Sequence, residues 1–209
     1  MPKIIAVNPE KPDLETLKKA TDVLREGGVC AIPTETIYGL AADYTNENAI
    51  KRIFTLKGRP EKKPILLLLG ELEQLKLVVR EIPPVAEKLM ARFWPGPLTI
   101  VMQARAEVSP LLTAGTGKIG VRLSSHPVPT GIARLLGRPV TGTSANISGK
   151  PSCTSAEEVA RIMPQVDLIL DAGKAKEAIP STVVDVTEEE IRIIREGKIK
   201  ASQLLKALG

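Results

Sequence analysis

The sequence has 209 residues, of which 43% are hydrophobic and 25% are charged. This balance is ordinary for a soluble globular protein, and it excludes wholesale disorder and a collagen-like composition. Lysine and arginine outnumber aspartate and glutamate by 29 to 24, which gives a net charge of +5. A mild positive excess suits an anionic partner such as a nucleotide or RNA, but a surface that simply leans basic explains it equally well.

Membrane and secretory signals are weak. The longest uninterrupted apolar run, 65–69, is far shorter than the roughly 18 residues that a membrane span requires. The apolar start at 4–7 is broken by Asn8-Pro9 and is too short for a signal peptide. We therefore expect a cytoplasmic protein with no membrane partner. The two cysteines, Cys30 and Cys153, lie too far apart to suggest a disulfide framework or a zinc site.

Short β-type runs alternate with amphipathic helical patterns along the chain. Strands are predicted at 4–7, 29–32, 65–69, 98–103, 119–123, 140–143, 166–170, 182–186 and 191–194. Helices are predicted from 14 to the glycines at 27–28, from 47 to about 57, and at 72–79, 84–93, 129–136, 156–163 and 202–208. Asp13, Asn46 and Ser155 stand where N-caps would open three of these helices. The pattern predicts one α/β domain, residues 1–209, built on a mixed open sheet that is covered by helices on both faces.

Two familiar motifs fail on their context. The stretch 115–120 matches GxGxxG, but a strand-like run follows it and no acid stands about 20 residues later, so it predicts a glycine-rich turn. A phosphate-binding GxxxxGK[ST] loop also fails, because Ile119 follows Lys118. His126 is the only histidine, which excludes a zinc site built on histidines and leaves one candidate for a Ser-His-acid triad.

Several loops place hydroxyls and cations where strands or helices end. Thr34 and Thr36 follow a predicted buried strand, and either can cap backbone groups or touch a ligand. The segment 57–64 carries four cations against one acid, which fits either a solvated helix end or an anion clamp.

A third polar loop, 143–152, also follows a predicted strand. It contains Ser144, Asn146 and Ser152, which can read a nucleotide or satisfy a turn. Two isolated arginines, Arg122 and Arg195, lie beside apolar strands, a position where arginine is most often a surface charge.

Taken together, these segments resemble the YrdC-like threonylcarbamoyl-AMP synthases. The resemblance runs from about residue 27 to the C-terminus, and the spaced KxR and SxN pair is its signature. The matching motifs are PTETxYGL at 33–40, KxRP at 57–60, WPGPLT at 94–99, Val121-Arg122, Ser144-Ala145-Asn146 and Ser181-Thr182.

The resemblance implies a twisted α/β fold around a positively charged cavity. It also implies that L-threonine, bicarbonate or CO2, and ATP react to give L-threonylcarbamoyl-AMP and pyrophosphate, with Mg2+ accompanying ATP. The product would then serve the t6A modification at position 37 of tRNA, which a separate transferase completes, so that tRNA is an indirect partner.

Residue roles follow from the same resemblance. Lys57 and Arg59 would be catalytic, because they neutralise charge on the reacting phosphates. The implied ATP contacts are Lys57, Arg59, Lys63, Lys118, Ser144, Asn146, Ser152 and Arg195. The implied threonine contacts are Thr34, Thr36, Arg122 and Ser181. No side chains dedicated to a metal are implied.

The chain departs from the family pattern at two positions, and other functions stay open. Many relatives have Asn and His where this sequence has Lys63 and Leu68. Because the sequence ends at Gly209, we expect the short form without the extra C-terminal domain of longer relatives. The alternatives are a non-catalytic RNA-binding module that uses the basic cavity, and another ATP-using ligase or carbamoyl transferase with a different acceptor.

Overall fold

Within residues 2–175 and 179–209, which the computed structural model describes, the strands form a ten-stranded mixed sheet. A 3-10 turn at Leu72–Gln74 leads directly into α3. The elements in chain order are β1 (Lys3–Ala6), α1 (Leu14–Arg25), β2 (Cys30–Ile32), β3 (Gly39–Ala41), α2 (Glu47–Lys57), β4 (Leu66–Leu69), α3 (Leu75–Val78), α4 (Pro84–Phe93), β5 (Leu98–Gln103), α5 (Pro110–Thr113), β6 (Lys118–Leu123), α6 (Pro127–Leu136), β7 (Val140–Ser144), α7 (Ala156–Ile162), β8 (Leu168–Asp171), β9 (Thr182–Asp185), β10 (Arg192–Arg195) and α8 (Ala201–Leu208).

The strand order across the sheet is β1-β8-β2-β3-β7-β4-β6-β5-β9-β10. Strand β4 runs parallel to β6, and β5 runs parallel to β9, whereas β7 and β4 are antiparallel. The edge strand β10 pairs antiparallel with β9, and its register shifts between Ile193 and Arg195.

Side-chain alternation divides the apolar core between the two faces of the sheet. On β4, Leu67 and Leu69 belong to a core with α2, α3, α4, α5, α7 and α8, whereas Leu68 belongs to a second core with α1 and α6. Successive residues of a strand point to opposite faces, so the two helix groups lie on opposite sides. The predicted mixed sheet with helices on both faces is therefore confirmed.

The helices α1 and α6 cover only part of their face. They pack on each other and on β2, β4, β7 and β8. Over β5, β6 and β9, the same face of the described chain opens onto a cavity. The fold therefore leaves half of one sheet face free for a site.

Local signals explain most of the element boundaries. The side chains of Asp13, Asn46 and Ser155 accept hydrogen bonds from backbone N–H groups in the first turns of α1, α2 and α7, as predicted. His126 also caps α6 through Nδ1, which accepts from Val128 N, and the helix therefore begins two residues before the predicted start.

Two predictions of secondary structure were wrong, and one short helix was not predicted. Gly39–Ala41, predicted as loop, forms β3 because its backbone pairs with both β2 and β7. The predicted helix 72–79 is a 3-10 turn followed by one helical turn, and the Gln74 side chain there is tied to Gly70 and Ala133. The one-turn helix α5 was not predicted, because four residues are too few to show a periodic pattern.

Candidate functional site

A cavity of about 770 Å³ lies over the open half of the sheet. Its walls come from the 34–39 turn, the loop after α2, the 116–118 turn, the 144–152 loop and the β9–β10 region. The lining residues are Thr34, Thr36, Ile37, Gly39, Arg59, Lys63, Pro64, Ile65, Leu66, Leu68, Thr99, Val101, Thr116, Lys118, Gly120, Arg122, Gly142, Thr143, Ser144, Ser152, Pro180, Ser181, Val183, Asp185, Arg192, Ile194 and Arg195.

The floor of the cavity is the alternating face of the strands. On β6, Gly120 and Arg122 face the cavity, whereas Ile119 and Val121 are in the core on the other side. Gly142 on β7 leaves space that its neighbours fill: a Cβ there would lie 2.7 Å from side-chain atoms of Leu66 and Leu68. A larger residue at 142 would therefore push the floor into the cavity.

The charge of the lining is strongly positive. Among its described residues, six carry a positive charge and one, Asp185, carries a negative charge. The six cations are Arg59, Lys63, Lys118, Arg122, Arg192 and Arg195. A partly enclosed recess with this excess concentrates anions.

The threonines of the 34–37 turn form one wall of the cavity. Thr34 Oγ1 accepts from the backbone N–H groups of Thr36 and Ile37 and lies 2.9 Å from Thr36 Oγ1. Thr36 Oγ1 in turn lies 3.5 Å from Arg122 Nη1. Thr34 therefore caps the turn as predicted, and it also lines the cavity, so its contact with a ligand stays a prediction.

Arg122 is a buried cation with few partners. Its side chain is 6% exposed, and the nearest carboxylate oxygen, Glu35 Oε1, lies 3.9 Å from its Nε. Burial lowers the pKa of Arg122, which Glu35 partly offsets. Within the described residues, neither Arg122 Nε nor Glu35 Oε1 has a hydrogen-bond partner. Arg122 is thus not the surface charge that its isolated position in the sequence suggested, and it can receive an anion from the cavity.

A second arginine reaches the cavity through an irregular strand. Pairing of β10 with β9 shifts at Ile194, and both Ile194 and Arg195 line the cavity although they are consecutive. Such a bulge redirects the side chain that follows it. Arg195 then donates to Ser181 O through Nε and Nη2, at 3.2 and 2.8 Å, and Ser181 Oγ lies 3.0 Å from Thr99 Oγ1. Burial, followed by the charge of Arg122, lowers the pKa of Arg195.

The loop after α2 places Arg59 and Lys63 on another wall. Gly58, with φ of 54°, ends α2 in the left-handed conformation, so the chain turns away from the helix axis. Arg59 donates to Pro64 O at 2.7 Å and weakly to Lys63 O at 3.4 Å, which fixes the guanidinium along the loop. Burial lowers its pKa.

Lys57 and Asn146 lie behind the cavity wall and are not among its described lining residues. Lys57 is 1% exposed, and its ammonium donates to Ser144 O, Asn146 O and Asn146 Oδ1, the last two at 3.0 and 2.8 Å. Burial lowers the pKa of Lys57 to about 8, and the charge of Arg59 adds to the effect. The Lys57 donors hold the 144–146 loop, a structural role that the sequence did not predict. Contact of either side chain with ATP stays a prediction.

The remaining predicted ATP residues line the cavity in different environments. Ser144 faces it and donates through Oγ to Asn146 Oδ1 at 2.6 Å, and Ser152 lines the same side. Lys118 is paired with Asp185 at 3.3 Å and Glu188 at 3.1 Å, and the Glu188 hydrogen bond is the main cause of its raised pKa. An anion would have to compete with two carboxylates for Lys118.

Two motifs interpreted as structural behave that way. Gly115 and Gly117 have φ of 72° and 69° in a turn before β6, and no helix opens there. His126 caps α6, and burial lowers its pKa. The departing residues Lys63 and Leu68 both line the cavity.

Sequence reasoning missed several lining residues, chiefly Thr99, Asp185, Arg192 and Ile194. The signal was present in the strands. Thr99 and Asp185 alternate with buried apolar neighbours and so predict one polar face on each of β5 and β9. Arg192 and Ile194 alternate in the same way on β10, whereas Arg195 departs from the alternation because of the register shift.

Neither a metal cage nor a membrane span is found in the part of the chain that is described. Over residues 2–175 and 179–209, histidine, cysteine and acidic side chains do not gather in groups of three that could hold an ion. None of the helices described there is both long and apolar enough to cross a bilayer.

Comparison with known proteins gives a consistent result. The Sua5_yciO_yrdC family model, described as "Telomere recombination", matches residues 22–197. The chain is 41% identical to the threonylcarbamoyl-AMP synthase of Pyrococcus abyssi over 92% of its own length and 57% of the relative. It is 34% identical to the threonylcarbamoyl-AMP synthase of Vibrio cholerae, over 88% of this chain and 98% of that protein.

The fold is also that of a solved relative. The structure of P. abyssi Sua5 complexed with L-threonine superimposes with a TM-score of 0.94 at 40% identity, over 99% of this chain and 61% of that one. The chain therefore spans a little over half the length of the P. abyssi protein. The family match covers most of the sequence and the V. cholerae relative is covered almost end to end, so the chain belongs to the Sua5/YciO/YrdC family.

Proposed function

We propose that this chain forms L-threonylcarbamoyl-AMP and pyrophosphate from L-threonine, bicarbonate or CO2, and ATP. The observation that carries the proposal is the buried Arg122 guanidinium, which faces a cavity that also contains Arg59 and Ser144. One recess therefore offers a fork for a carboxylate and separate cations for phosphates. The names of the two relatives support the same reaction.

In this proposal, threonine lies between the 34–37 turn and β9. Arg122 receives its carboxylate, because its side chain lines the cavity and its Nη1 is only weakly engaged with Thr36. Thr34, Thr36 and Ser181 contribute hydroxyls, and Arg195 holds Ser181 in place. The solved P. abyssi Sua5, complexed with L-threonine, supports an amino-acid subsite in this fold.

ATP lies toward the loop after α2 and the 144–152 loop. Arg59, Lys63 and Arg195 provide positive charge for the phosphates, Ser144 and Ser152 provide hydroxyls, and Lys118 lies at the 116–118 turn. Lys57 acts from behind, because it ties Ser144 and Asn146 into one loop and places a cation under it. We therefore assign Lys57 a positioning role in addition to its charge.

The reaction needs charge stabilisation more than acid–base catalysis. The neutral amine of threonine adds to CO2 and loses one proton, which gives a carbamate. A carbamate oxygen then attacks the α-phosphorus in line, the bond from that phosphorus to the β-phosphate oxygen breaks, and pyrophosphate leaves with its electron pair. Negative charge accumulates on the phosphates, and fixed cations such as Arg59 stabilise it without reorganisation.

Mg2+ is expected to accompany ATP. Asp185, the one carboxylate among the described lining residues, already accepts from Thr187 through Oδ1 and pairs with Lys118 through Oδ2. The triphosphate, more than this chain, would hold the ion. The adenylate would pass to a threonylcarbamoyl transferase that modifies tRNA, which fits a cytoplasmic location.

The test is conversion of ATP to AMP-containing product and pyrophosphate by the purified protein. The proposal requires that pyrophosphate release depends on both threonine and bicarbonate and that serine is a poorer substrate, since a shaped pocket should sense the methyl group. A different result would identify an RNA-binding module: the protein would bind RNA with an affinity that falls steeply as the salt concentration rises, and it would show no threonine-dependent turnover.

A further inference from the structure

Glu35 lies behind Arg122 and has no role in the reaction described so far. Its side chain is 13% exposed, and it is absent from the described cavity lining. Oε1 lies 3.9 Å from Arg122 Nε, too far for a hydrogen bond but close for an ionic interaction. Oε2 accepts a short hydrogen bond from Ser124 Oγ.

The carboxylate is held from the side away from the cavity. Ser124 Oγ donates to Glu35 and accepts from His126 N, at the residue that caps α6. The position of Glu35 is thus tied to the backbone that joins β6 to α6, while Thr34 and Thr36 on either side of it line the cavity.

The positive charges of Arg122 and Arg195 explain why a carboxylate is needed at position 35. Arg122 and Arg195 lie close enough that the charge of Arg122 lowers the pKa of Arg195, and the Arg122 guanidinium is largely removed from water. The two cations repel each other, and the buried Arg122 also loses hydration. With Glu35, the group of three carries a net charge of about +1, which one substrate carboxylate neutralises.

We propose that Glu35 is a positioning residue, which holds the Arg122 guanidinium in the orientation that accepts the threonine carboxylate. The inference rests on the proposed function, because it takes threonine as the ligand of Arg122. Glu35 acts through Arg122 and does not itself touch the substrate. The 3.9 Å separation suits this role, since a direct two-point bridge would occupy the donors that the substrate needs.

The test is Glu35→Gln, which keeps the size of the side chain and an oxygen for Ser124 but removes the charge. We expect KM for threonine to rise about 10-fold, while KM for ATP changes less than about twofold, because only the carboxylate fork loses its orientation. The preference for threonine over threoninamide in a competition assay should fall by a similar factor, a change that loss of stability alone would not produce.

Two further variants separate positioning from folding. Ser124→Ala keeps the charge of Glu35 but removes the hydrogen bond that holds its carboxylate. We expect KM for threonine to rise roughly threefold. Glu87→Gln removes an equal charge from an exposed position on α4 and should leave KM for threonine unchanged. In an Arg122→Ala background, Glu35→Gln should have no further effect on threonine binding, as a double-mutant cycle would show.

The outcomes are distinguishable. An active wild type whose Glu35→Gln variant binds threonine as well or more tightly would overturn the role of Glu35 and leave the proposed function standing. Equal effects of Glu35→Gln in the wild-type and Arg122→Ala backgrounds would also overturn it. A wild type without threonine-dependent turnover would instead defeat the proposed function. If Glu35→Gln does not fold, Ser124→Ala decides the question: a rise in KM for threonine without a rise in KM for ATP supports the role of Glu35, and an unchanged KM for threonine overturns it.

Discussion

One face of the sheet has a half covered by α1 and α6 and a half that opens onto the cavity. In both halves every second side chain of a strand points to this face, but the residue types differ. Under α1 and α6, the strands present apolar side chains such as Ile32, Val140 and Leu170. Over β5 and β6, the corresponding positions carry polar and small residues such as Thr99 and Arg122. A helix can cover the first half because it removes apolar surface from water, whereas covering the second would bury unpaired charge. The boundary of the site thus follows from side-chain chemistry on a continuous backbone scaffold.

The comparison predicts that substitutions in the open half change kinetics, whereas substitutions in the covered half change stability. The largest effect is expected for Arg59→Ala. Loss of this fixed cation should lower kcat for adenylate formation by about 10²–10³-fold, because the charge on the reacting phosphates would be less stabilised. Steady-state pyrophosphate release measures it. Arg59→Lys, which keeps the charge without the planar fork, should recover part of the rate, and a folded Arg59→Ala variant at full rate would contradict the assignment.

Ile132→Ala tests the covered half. Ile132 is fully buried between α6 and the sheet, and its truncation leaves a cavity as well as losing apolar burial. We expect the free energy of unfolding to fall by about 3 kcal/mol, with KM for both substrates unchanged in the folded fraction. Urea unfolding measures the free energy of unfolding. Initial-rate kinetics without urea, where the variant is folded, measure the two KM values. A shifted KM at unchanged stability would show that the two halves are not independent.

Arg122→Ala tests the carboxylate fork directly. We expect the affinity for threonine to fall about 50-fold, because charge-assisted hydrogen bonds to the carboxylate are lost, while ATP binding is retained. Calorimetric titration of each substrate into the variant makes the measurement. Undiminished threonine affinity would remove Arg122 from the subsite.

Lys57 belongs to the predicted site but is buried, so we expect it to affect stability as well as activity. Its contribution to stability should depend on pH. Its pKa in the folded chain is about 8, below the ordinary lysine value of 10.5, so between these values the unfolded chain binds more protons than the native one. Stability from this residue therefore rises with pH through that window. Between pH 7 and 9.5 the wild type should gain about 2 kcal/mol relative to Lys57→Met. Urea unfolding of both proteins at the two pH values measures the difference, and parallel curves would refute the shifted pKa.

Much of this arrangement could be predicted from the sequence. Local patterns predict two of the strands that carry the site, 98–103 and 119–123, and the structure confirms them. They also predict three N-caps, which the structure confirms at Asp13, Asn46 and Ser155. Motif order identified the family and pointed to ten of the predicted site residues that now line one cavity.

What could not be predicted depends on contacts between distant segments. No local pattern shows that Lys57 Nζ would be used up by the 144–146 loop, because the partners are almost 90 residues away in sequence. The strand β3 forms only because β2 and β7 lie on either side of it. Similarly, the burial of Arg122 follows from its place within the sheet and not from its neighbours in the chain.

The irregular pairing of β10 has a consequence for how this chain tolerates change in length. Arg195 shares a side of its strand with Ile194 only because one extra residue is accommodated there. Removing Ile194 would restore regular pleating, with Arg195 directly after Ile193 and still opposite Val183, so the guanidinium would stay on the cavity side. Loss of the codon for Ile194 is therefore expected to cost less than a one-residue deletion within a regular strand such as β5, where every later side chain would change faces.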